Sequence, residues 1–151
     1  MSLHPITKAI RTQTERTPQG EHSTPLFLSS SFCFDNAEEM RAAFADETDA
    51  NIYSRFSNPS VNEFIDKMVE LEGAEAGVAT ATGMAAVFAT FAGVLKKGDH
   101  LLSCNAVFGS THNIIKKYLP GYGIECTYVS ADKPEEWEAA IKPNTKTPRS
   151  T

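Results

Sequence analysis

The sequence predicts an α/β protein with a mostly parallel sheet and flanking helices, preceded by an extended amino-terminal arm. Two observations lead to this prediction. From residue 77 onward, short apolar runs of strand length alternate with helical patterns. Before residue 50, prolines and hydroxyl residues interrupt every apolar run. Because strands that alternate with helices are joined by crossover connections, they favour a parallel sheet covered on both faces. We therefore divide the chain into an arm, residues 1–50, and an α/β domain, residues 51–151.

The first two helices are placed by capping residues and apolar spacing. Within the arm, Asp35 followed three residues later by Glu38 predicts a capping box and one short helix. Pro59 suits the first turn of a second helix, and Gly73 suits its end. The apolar residues between them lie on one face of that helix: Val61, Phe64, Ile65, Met68 and Leu71. The sequence therefore predicts an amphipathic helix between Pro59 and Gly73.

Strands and helices are expected in turn over the rest of the chain. The small residues of Gly77–Thr82 predict a strand, and a tight turn then leads into a helix that closes before Gly98. The remaining predicted elements are a strand over 101–104, a helix over 111–119 stopped by Pro120, a strand over 124–129, and a helix that begins between Asp132 and Glu135. Ligands of parallel sheets bind where the carboxyl ends of strands meet the following loops. The loops at residues 80–84 and 105–111 are therefore the candidate binding regions.

Composition limits the classes of partner and compartment. The chain has 14 basic against 19 acidic side chains, and its lysines occur in pairs at most, so no basic stripe is present for nucleic acid. The three cysteines, Cys33, Cys104 and Cys126, are odd in number and widely spaced, which predicts a reduced cytoplasmic setting. No apolar run suits a signal peptide or a membrane span, and the histidines lack metal-site spacing. We expect a cytoplasmic protein that binds neither nucleic acid, membrane nor metal.

The turn at Gly83 has the physical character of an anion site. A glycine lets the backbone turn sharply, and the first N–H groups of the following helix have no intrahelical acceptor and carry the positive end of its dipole. The alternative is a packing turn, which one glycine before a helix more often marks. Neither a G-x-G-x-x-G fingerprint nor a P-loop is present, which disfavours a Rossmann nucleotide site.

Two further segments carry side chains suited to a phosphate and to a flat ring. If their segment is extended, Tyr53 and Arg55 point the same way, and a phenol and a guanidinium can jointly hold a phosphate. The alternative for Arg55 is a surface side chain packed on an aromatic ring. Phe108, just past a predicted strand end, offers a stacking surface, although aromatic residues at such positions more often belong to the core.

Taken together, these segments resemble the family of pyridoxal-phosphate enzymes of cysteine and methionine metabolism. The segment Tyr53–Pro59 is similar to that family's Y-S-R-x-x-N-P pattern. The run ATGMAA at residues 81–86 is similar to its cofactor-phosphate loop, and Phe108–Thr111 to its Y-G-x-T segment. The resemblance extends from about residue 5 to residue 146.

The resemblance implies the fold of a type I pyridoxal-phosphate-dependent transferase, with pyridoxal 5′-phosphate as the cofactor. It implies that Gly83 and Met84 give backbone N–H groups to the cofactor phosphate, and that Phe108 stacks on the pyridine ring. It further implies that Tyr53 and Arg55 reach the phosphate held by a neighbouring subunit. The expected assembly is then a homotetramer made of two dimers, with active sites shared between subunits. In this assembly the arm, residues 1–50, wraps the partner subunit.

Other catalytic groups of the family are not found in this sequence. The resemblance implies a Schiff-base lysine further along a longer chain, and we interpret Lys146 as a solvated residue instead. The polar run Thr147–Thr151 stands where an apolar strand is expected. We therefore expect a truncated amino-terminal piece with an incomplete cofactor domain, and we expect it to be inactive alone.

The activity implied by the resemblance is γ-replacement on an O-activated homoserine, with sulfide giving homocysteine in methionine biosynthesis. Phe108 at the usual tyrosine position, and Ser110 where a methionine γ-lyase carries cysteine, favour this sulfhydrylase reaction over a lyase. One alternative is cystathionine γ-synthesis or γ-cleavage within the same family. Another, of a different class, is a non-catalytic fragment that binds a phosphate or a partner chain.

Overall fold

The computed structural model describes residues 4–11 and 16–146. The chain divides into two compact units, Met1–Ala79 and Thr80–Thr151. The first unit contains α1 (Pro5–Arg11), α2 (Ala37–Phe44) and α3 (Pro59–Glu72). The second contains α4 (Gly83–Val94), β1 (His100–Cys104), α5 (Gly109–Asn113), β2 (Glu125–Val129), α6 (Pro134–Ala140) and β3 (Thr145–Lys146). The boundary between arm and domain at residue 50 stays a prediction. It concerns which residues contact a partner chain, and the two units are defined by contacts within one chain.

The second unit confirms the α/β class. Its described strands form one parallel sheet in the order β2-β1-β3, and His100 of β1 pairs with Glu125 of β2 and Thr145 of β3. Helix α4 and the helical turns between Gly109 and Tyr122 supply most of the core. The buried core residues are Leu95, Ile114, Ile115, Leu119 and Ile124, and the strand side chains of Leu101, Cys126 and Tyr128 pack against them. One face of the sheet is thus covered by these helices.

The strand predicted over Gly77–Thr82 is not formed. These residues have no ladder pairing, and the Val78 side chain is 88% exposed. A strand is stabilised by hydrogen bonds to a neighbour. No strand lies beside this segment within the described part of the chain. The prediction was wrong because residue type alone does not supply a pairing partner.

Helix α3 confirms the predicted helix and both of its ends. Asn58 caps its first turn, Pro59 occupies the first helical position, and Gly73 ends it in the left-handed conformation at φ 64°. The predicted apolar face is nevertheless open to solvent in this structure. Four of its side chains are between 39% and 56% exposed: Val61, Phe64, Met68 and Leu71.

The start of α2 lies one residue later than the predicted capping box. Asn36, rather than Asp35, is the cap, and its side-chain oxygen accepts the Glu39 N–H at 2.9 Å. The Asn36 amide also donates to the Glu39 carboxylate at 2.7 Å. Asn36 and Glu39 therefore hold this helix start through their side chains, because asparagine is as good a cap as aspartate and Glu39 lies three residues after it.

The helix predicted over 111–119 is longer and less regular than expected. It begins with α5, continues as a π-helix over Ile114–Tyr118 and as a 3₁₀-helix over Leu119–Tyr122, and ends at Gly123, whose φ is 73°. Pro120 does not stop it, because proline is tolerated in the first turn of a short 3₁₀-helix, where its missing N–H is not required.

The start of the last helix also differs from the prediction. Helix α6 begins at Pro134, and the side chain of its N-cap residue, Lys133, accepts no capping hydrogen bond. The helix ends at Ala140, and Ile141 is its C-cap with extended backbone. Proline at the first helical position fixes the backbone there, so α6 starts without a capping side chain.

Two elements were not predicted from the sequence. Helix α1 lies in the segment that we expected to be an arm with one helix, and it packs on α3, where Lys8 Nζ lies 2.6 Å from the Glu70 carboxylate. Strand β3 begins at Thr145, and Lys146 is exposed, as the interpretation of a solvated lysine requires. Within the described residues, no helix has both the length and the apolar character needed to cross a membrane. The run Thr147–Thr151 lies outside the described residues.

Candidate functional site

The first turn of α4 presents two N–H groups without acceptors. Thr82 caps the helix: its Oγ1 accepts the Ala85 N–H at 3.1 Å, and its carbonyl accepts the Ala86 N–H at 3.1 Å. The N–H groups of Gly83 and Met84 have no acceptor within the described part of the chain. They stand at the positive end of the dipole of a twelve-residue helix. Gly83 and Met84, which were predicted to bind an anion, are therefore the two residues whose backbone N–H groups have no acceptor in the described part of the chain.

The space beside these donors is open. Apart from its chain neighbours and the backbone of its own helix, a Cβ placed on Gly83 would have no atom within 4 Å. The Met84 side chain packs against the apolar core, so its backbone N–H rather than its side chain is left at the helix end. The Gly83 position is therefore not crowded by side chains from elsewhere in the described residues, which is compatible with an anion at this helix end.

Phe108 stands at the loop that follows β1. It is the N-cap residue of α5, and its carbonyl accepts the His112 N–H at 3.0 Å. Its side chain is 71% exposed, so it is not part of the core in this structure. Helices α4 and α5 contact each other within the same unit. The loop therefore presents a flat apolar ring to solvent, as stacking requires.

Tyr53 and Arg55 lie on a turn, so the extended backbone under which both side chains would point the same way is not formed. The Tyr53 carbonyl accepts the N–H groups of Phe56 at 2.8 Å and Ser57 at 3.1 Å, which closes the turn. The side chains still meet, because the Arg55 guanidinium carbon lies 5.1 Å from the centroid of the Tyr53 ring. Arg55 is exposed, and no ion pair joins it to a carboxylate among residues 4–11 and 16–146. The stacking alternative is thus observed, and it leaves the guanidinium edge available for an anion.

Asn58 holds this turn in place, a role that we did not predict. It is 4% exposed; its side-chain oxygen accepts the Ser60 N–H at 2.9 Å, and its amide donates to the Phe27 carbonyl at 3.0 Å and to Ser54 Oγ at 2.9 Å. Asparagine before Pro59 is a recognisable helix start in the sequence. The bonds to Phe27 and Ser54 depend on tertiary folding, so the sequence gives no signal for them.

Substitution of Asn58 by alanine is expected to lower the free energy of unfolding by about 2–4 kcal/mol, since it removes a helix cap and leaves the partly buried Phe27 carbonyl without its donor. Denaturant unfolding of the whole protein measures the change. Asn58→Ser is the matched control, because it keeps a cap acceptor and removes the amide donor without burying a charge, and its loss should be smaller. Equal stability of the alanine variant and the unchanged protein would contradict this role.

A comparison with known proteins identifies the family. Residues 6–147 match the Cys/Met metabolism PLP-dependent enzyme family. The chain belongs to this family. The resemblance carried by Tyr53–Pro59, residues 81–86 and Phe108–Thr111 is thereby confirmed, and so is pyridoxal 5′-phosphate as the family's cofactor.

Two relatives and one crystal structure from this family align with most of the chain. O-succinylhomoserine sulfhydrylase of Pseudomonas aeruginosa is 45% identical over 140 residues, which is 93% of this chain and 35% of the relative. L-methionine gamma-lyase of Porphyromonas gingivalis is 37% identical over 140 residues, with the same two coverages. A crystal structure of a putative O-acetylhomoserine (thiol)-lyase from Campylobacter jejuni, with N′-pyridoxyl-lysine-5′-monophosphate, matches with a TM-score of 0.86 at 29% identity, covering 96% of this chain and 36% of that one. The chain spans about a third of the length of these relatives.

The residues present fit the cofactor of the Cys/Met metabolism family. A phosphate dianion needs several N–H donors in an accessible place, and the first turn of α4 offers two donors, a helix dipole and open space beside Gly83. A pyridine ring needs a flat apolar surface, and Phe108 is exposed. Within the described ranges, no three histidine, cysteine, aspartate or glutamate side chains lie close enough to hold a metal ion.

Proposed function

We propose that this chain supplies the cofactor-phosphate site of an enzyme that replaces the γ-substituent of an O-activated homoserine with sulfide, giving homocysteine. The observation that carries the proposal is the pair of unpaired N–H groups on Gly83 and Met84 behind the Thr82 cap. The choice of reaction is supported by 45% identity to an O-succinylhomoserine sulfhydrylase, against 37% to a methionine gamma-lyase. Cystathionine γ-synthesis or γ-cleavage is the second candidate within the family.

In this proposal the residues of the chain bind and orient the cofactor. Gly83 and Met84 donate their N–H groups to the phosphate, and Phe108 stacks on the pyridine ring. When bound, pyridoxal phosphate supplies an electron sink for carbanion chemistry at the substrate. The helix end fixes one end of the cofactor and the ring contact fixes its plane, so the reacting carbons are held in one orientation. Phe108 has no hydroxyl, so it orients the ring and transfers no proton.

We further propose that Tyr53 and Arg55 act on the site of a second copy, in a homotetramer built from dimers. The exposed guanidinium edge beside the Tyr53 ring, with no ion pair in the described part of the chain, supports a phosphate ligand for this pair. A shared site of this kind makes oligomerisation necessary for catalysis. The enzyme is placed in the cytoplasm, a setting supported by three free cysteines, Cys33, Cys104 and Cys126.

The whole protein should release homocysteine from O-succinylhomoserine or O-acetylhomoserine only when sulfide is present. Thiol quantification with and without sulfide measures this reaction. Methanethiol release from methionine should be at least about tenfold slower, because the γ-leaving group of methionine is a thiolate rather than a carboxylate. Faster methanethiol release, or cystathionine formation from cysteine in preference to the sulfide reaction, would contradict the assignment.

The position of the cofactor-bearing lysine has a separate test. We propose that this lysine lies outside the present 151 residues, in line with the coverage of about a third of the relatives. Borohydride reduction of this chain with pyridoxal 5′-phosphate should then leave no single lysine modified in stoichiometric amount. Stoichiometric labelling of one lysine, Lys146 above all, would overturn that proposal and leave the family assignment intact.

A further inference from the structure

His100 joins all three strands of the sheet through its side chain. It is fully buried on the middle strand, β1. Its Nδ1 lies 2.7 Å from Thr145 Oγ1 on β3, and its Nε2 lies 2.8 Å from Thr127 Oγ1 on β2. The parallel register puts the three side chains on one face, because His100 pairs with Thr145 and Leu102 pairs with Thr127. We call His100, Thr127 and Thr145 the strand clasp.

His100 also contacts the turn that leads into β3, through its ring and through its backbone N–H. The Thr145 hydroxyl accepts the Lys142 N–H at 2.7 Å in addition to its contact with His100. The His100 N–H donates to the Asn144 carbonyl at 2.9 Å, and the Asn144 amide donates to the Gly98 carbonyl at 2.8 Å. The attachment of residues 142–146 to the sheet therefore centres on one buried histidine.

A neutral imidazole satisfies both side-chain contacts of the strand clasp, with one ring nitrogen accepting a hydrogen bond and the other donating one. In the arrangement that we assign, Thr145 Oγ1 accepts the Lys142 N–H and its O–H donates to Nδ1, while the ring proton on Nε2 is donated to Thr127 Oγ1. A proton added at Nδ1 turns this acceptor into a donor. The Thr145 O–H then loses its partner within the clasp, and a charge is created inside the sheet.

Nearby charged groups compensate a cationic imidazole only in part. Glu125 on β2 and Lys142 before β3 pair with each other at 3.4 Å and are exposed. The carboxylates of Asp99, next to β1, and Glu136, on the α6 helix that packs against β2, accept backbone N–H groups instead. Burial lowers the pKa of His100 below its usual value, Lys142 adds to this effect, and Glu125 opposes it.

We propose that the strand clasp is a proton-operated latch: a neutral His100 fixes residues 142–146 on the sheet, and a protonated His100 releases them. The direction of the pH dependence follows from the linkage between proton binding and folding. Because the folded form binds this proton more weakly than the unfolded form, the stability that the clasp contributes is complete above the ordinary histidine pKa. It is lost as the pH falls from that value through the lowered pKa of the folded form.

Amide hydrogen exchange of the full chain tests the latch. Between about pH 7.5 and about pH 5, where histidine changes charge, the protection factors of the His100 and Lys142 amides should fall by about tenfold or more, after correction for intrinsic exchange. The amide of Asn105, which donates to the Val129 carbonyl at 3.0 Å at the other end of the sheet, is the internal control and should change less. Equal change at all three amides, or none, would overturn the proposal.

The variant His100→Gln separates charge from hydrogen bonding. Its amide can both accept and donate but does not titrate, so the protection of the Lys142 amide should become independent of pH. The same loss of protection in acid as in the unchanged protein would overturn the latch. If this variant does not fold, nitrogen chemical shifts of the unchanged His100 ring decide the question: a proton on Nε2 and a pKa below the usual histidine value support the latch, and an ordinary pKa overturns it.

Discussion

Replacement of Gly83 by proline should weaken binding of pyridoxal 5′-phosphate by about 10- to 100-fold while leaving the fold intact. Proline removes one N–H that we assign to the phosphate, and a hydrogen bond to a charged group contributes about 1.5–3 kcal/mol. The site tolerates proline for three reasons. It is the first position of α4, Thr82 before it is already extended at φ −149° and ψ 153°, and the space at Cβ is open.

Spectroscopic titration of the apo form of the whole protein measures this effect, with two controls. Gly83→Ala keeps the N–H and should bind the cofactor more tightly than the proline variant. Pyridoxal, which lacks the phosphate, should bind the proline variant and the unchanged protein alike. An equal loss of affinity for pyridoxal and pyridoxal phosphate would show that the N–H does not contact the phosphate. Thermal unfolding of the apo form should be unchanged by the proline.

Substitution of Arg55 by alanine should reduce activity at limiting cofactor by about 30-fold or more, and mixing with the Gly83→Pro protein should restore part of it. Loss of a bidentate guanidinium–phosphate contact removes about 2 kcal/mol or more of cofactor binding. If Arg55 serves the site of a second copy, a mixed dimer contains one intact site and one site with both changes. Random mixing then returns about a quarter of the unchanged activity.

The restored fraction distinguishes a shared site from a site within one chain. Co-refolded or co-expressed variants, assayed at limiting pyridoxal phosphate, should exceed the sum of the two variants assayed separately. Arg55→Lys is the matched control: it keeps the charge but loses the planar fork, so its activity should be intermediate. Mixtures no more active than their separate components would contradict the contribution of Arg55 across a subunit boundary.

The candidate site was predictable from sequence where its geometry is local. The free donors at Gly83 and Met84 follow from the rules of helix N-termini, and those rules need only Thr82 and the glycine after it. Both ends of α3 follow from Asn58, Pro59 and Gly73 for the same reason.

Features that depend on distant parts of the chain were not predictable. The turn that brings Arg55 onto Tyr53 is held by Asn58 through the carbonyl of Phe27, 31 residues away, and no spacing in the sequence encodes that contact. The expected strand at Gly77–Thr82 failed for a related reason. A strand is defined by its neighbour, and residue types report only the preference for extended backbone.

The open apolar side of α3 affects how variants of this chain should be compared. Much of the side-chain surface on this helix face is exposed, at Val61, Phe64, Met68 and Leu71. Polar replacements there should therefore change the tendency to aggregate more than they change the free energy of unfolding. The yield of soluble protein from a cell extract therefore ranks such replacements by their tendency to aggregate. A chemical denaturation midpoint ranks them by conformational stability, and the two orders need not agree.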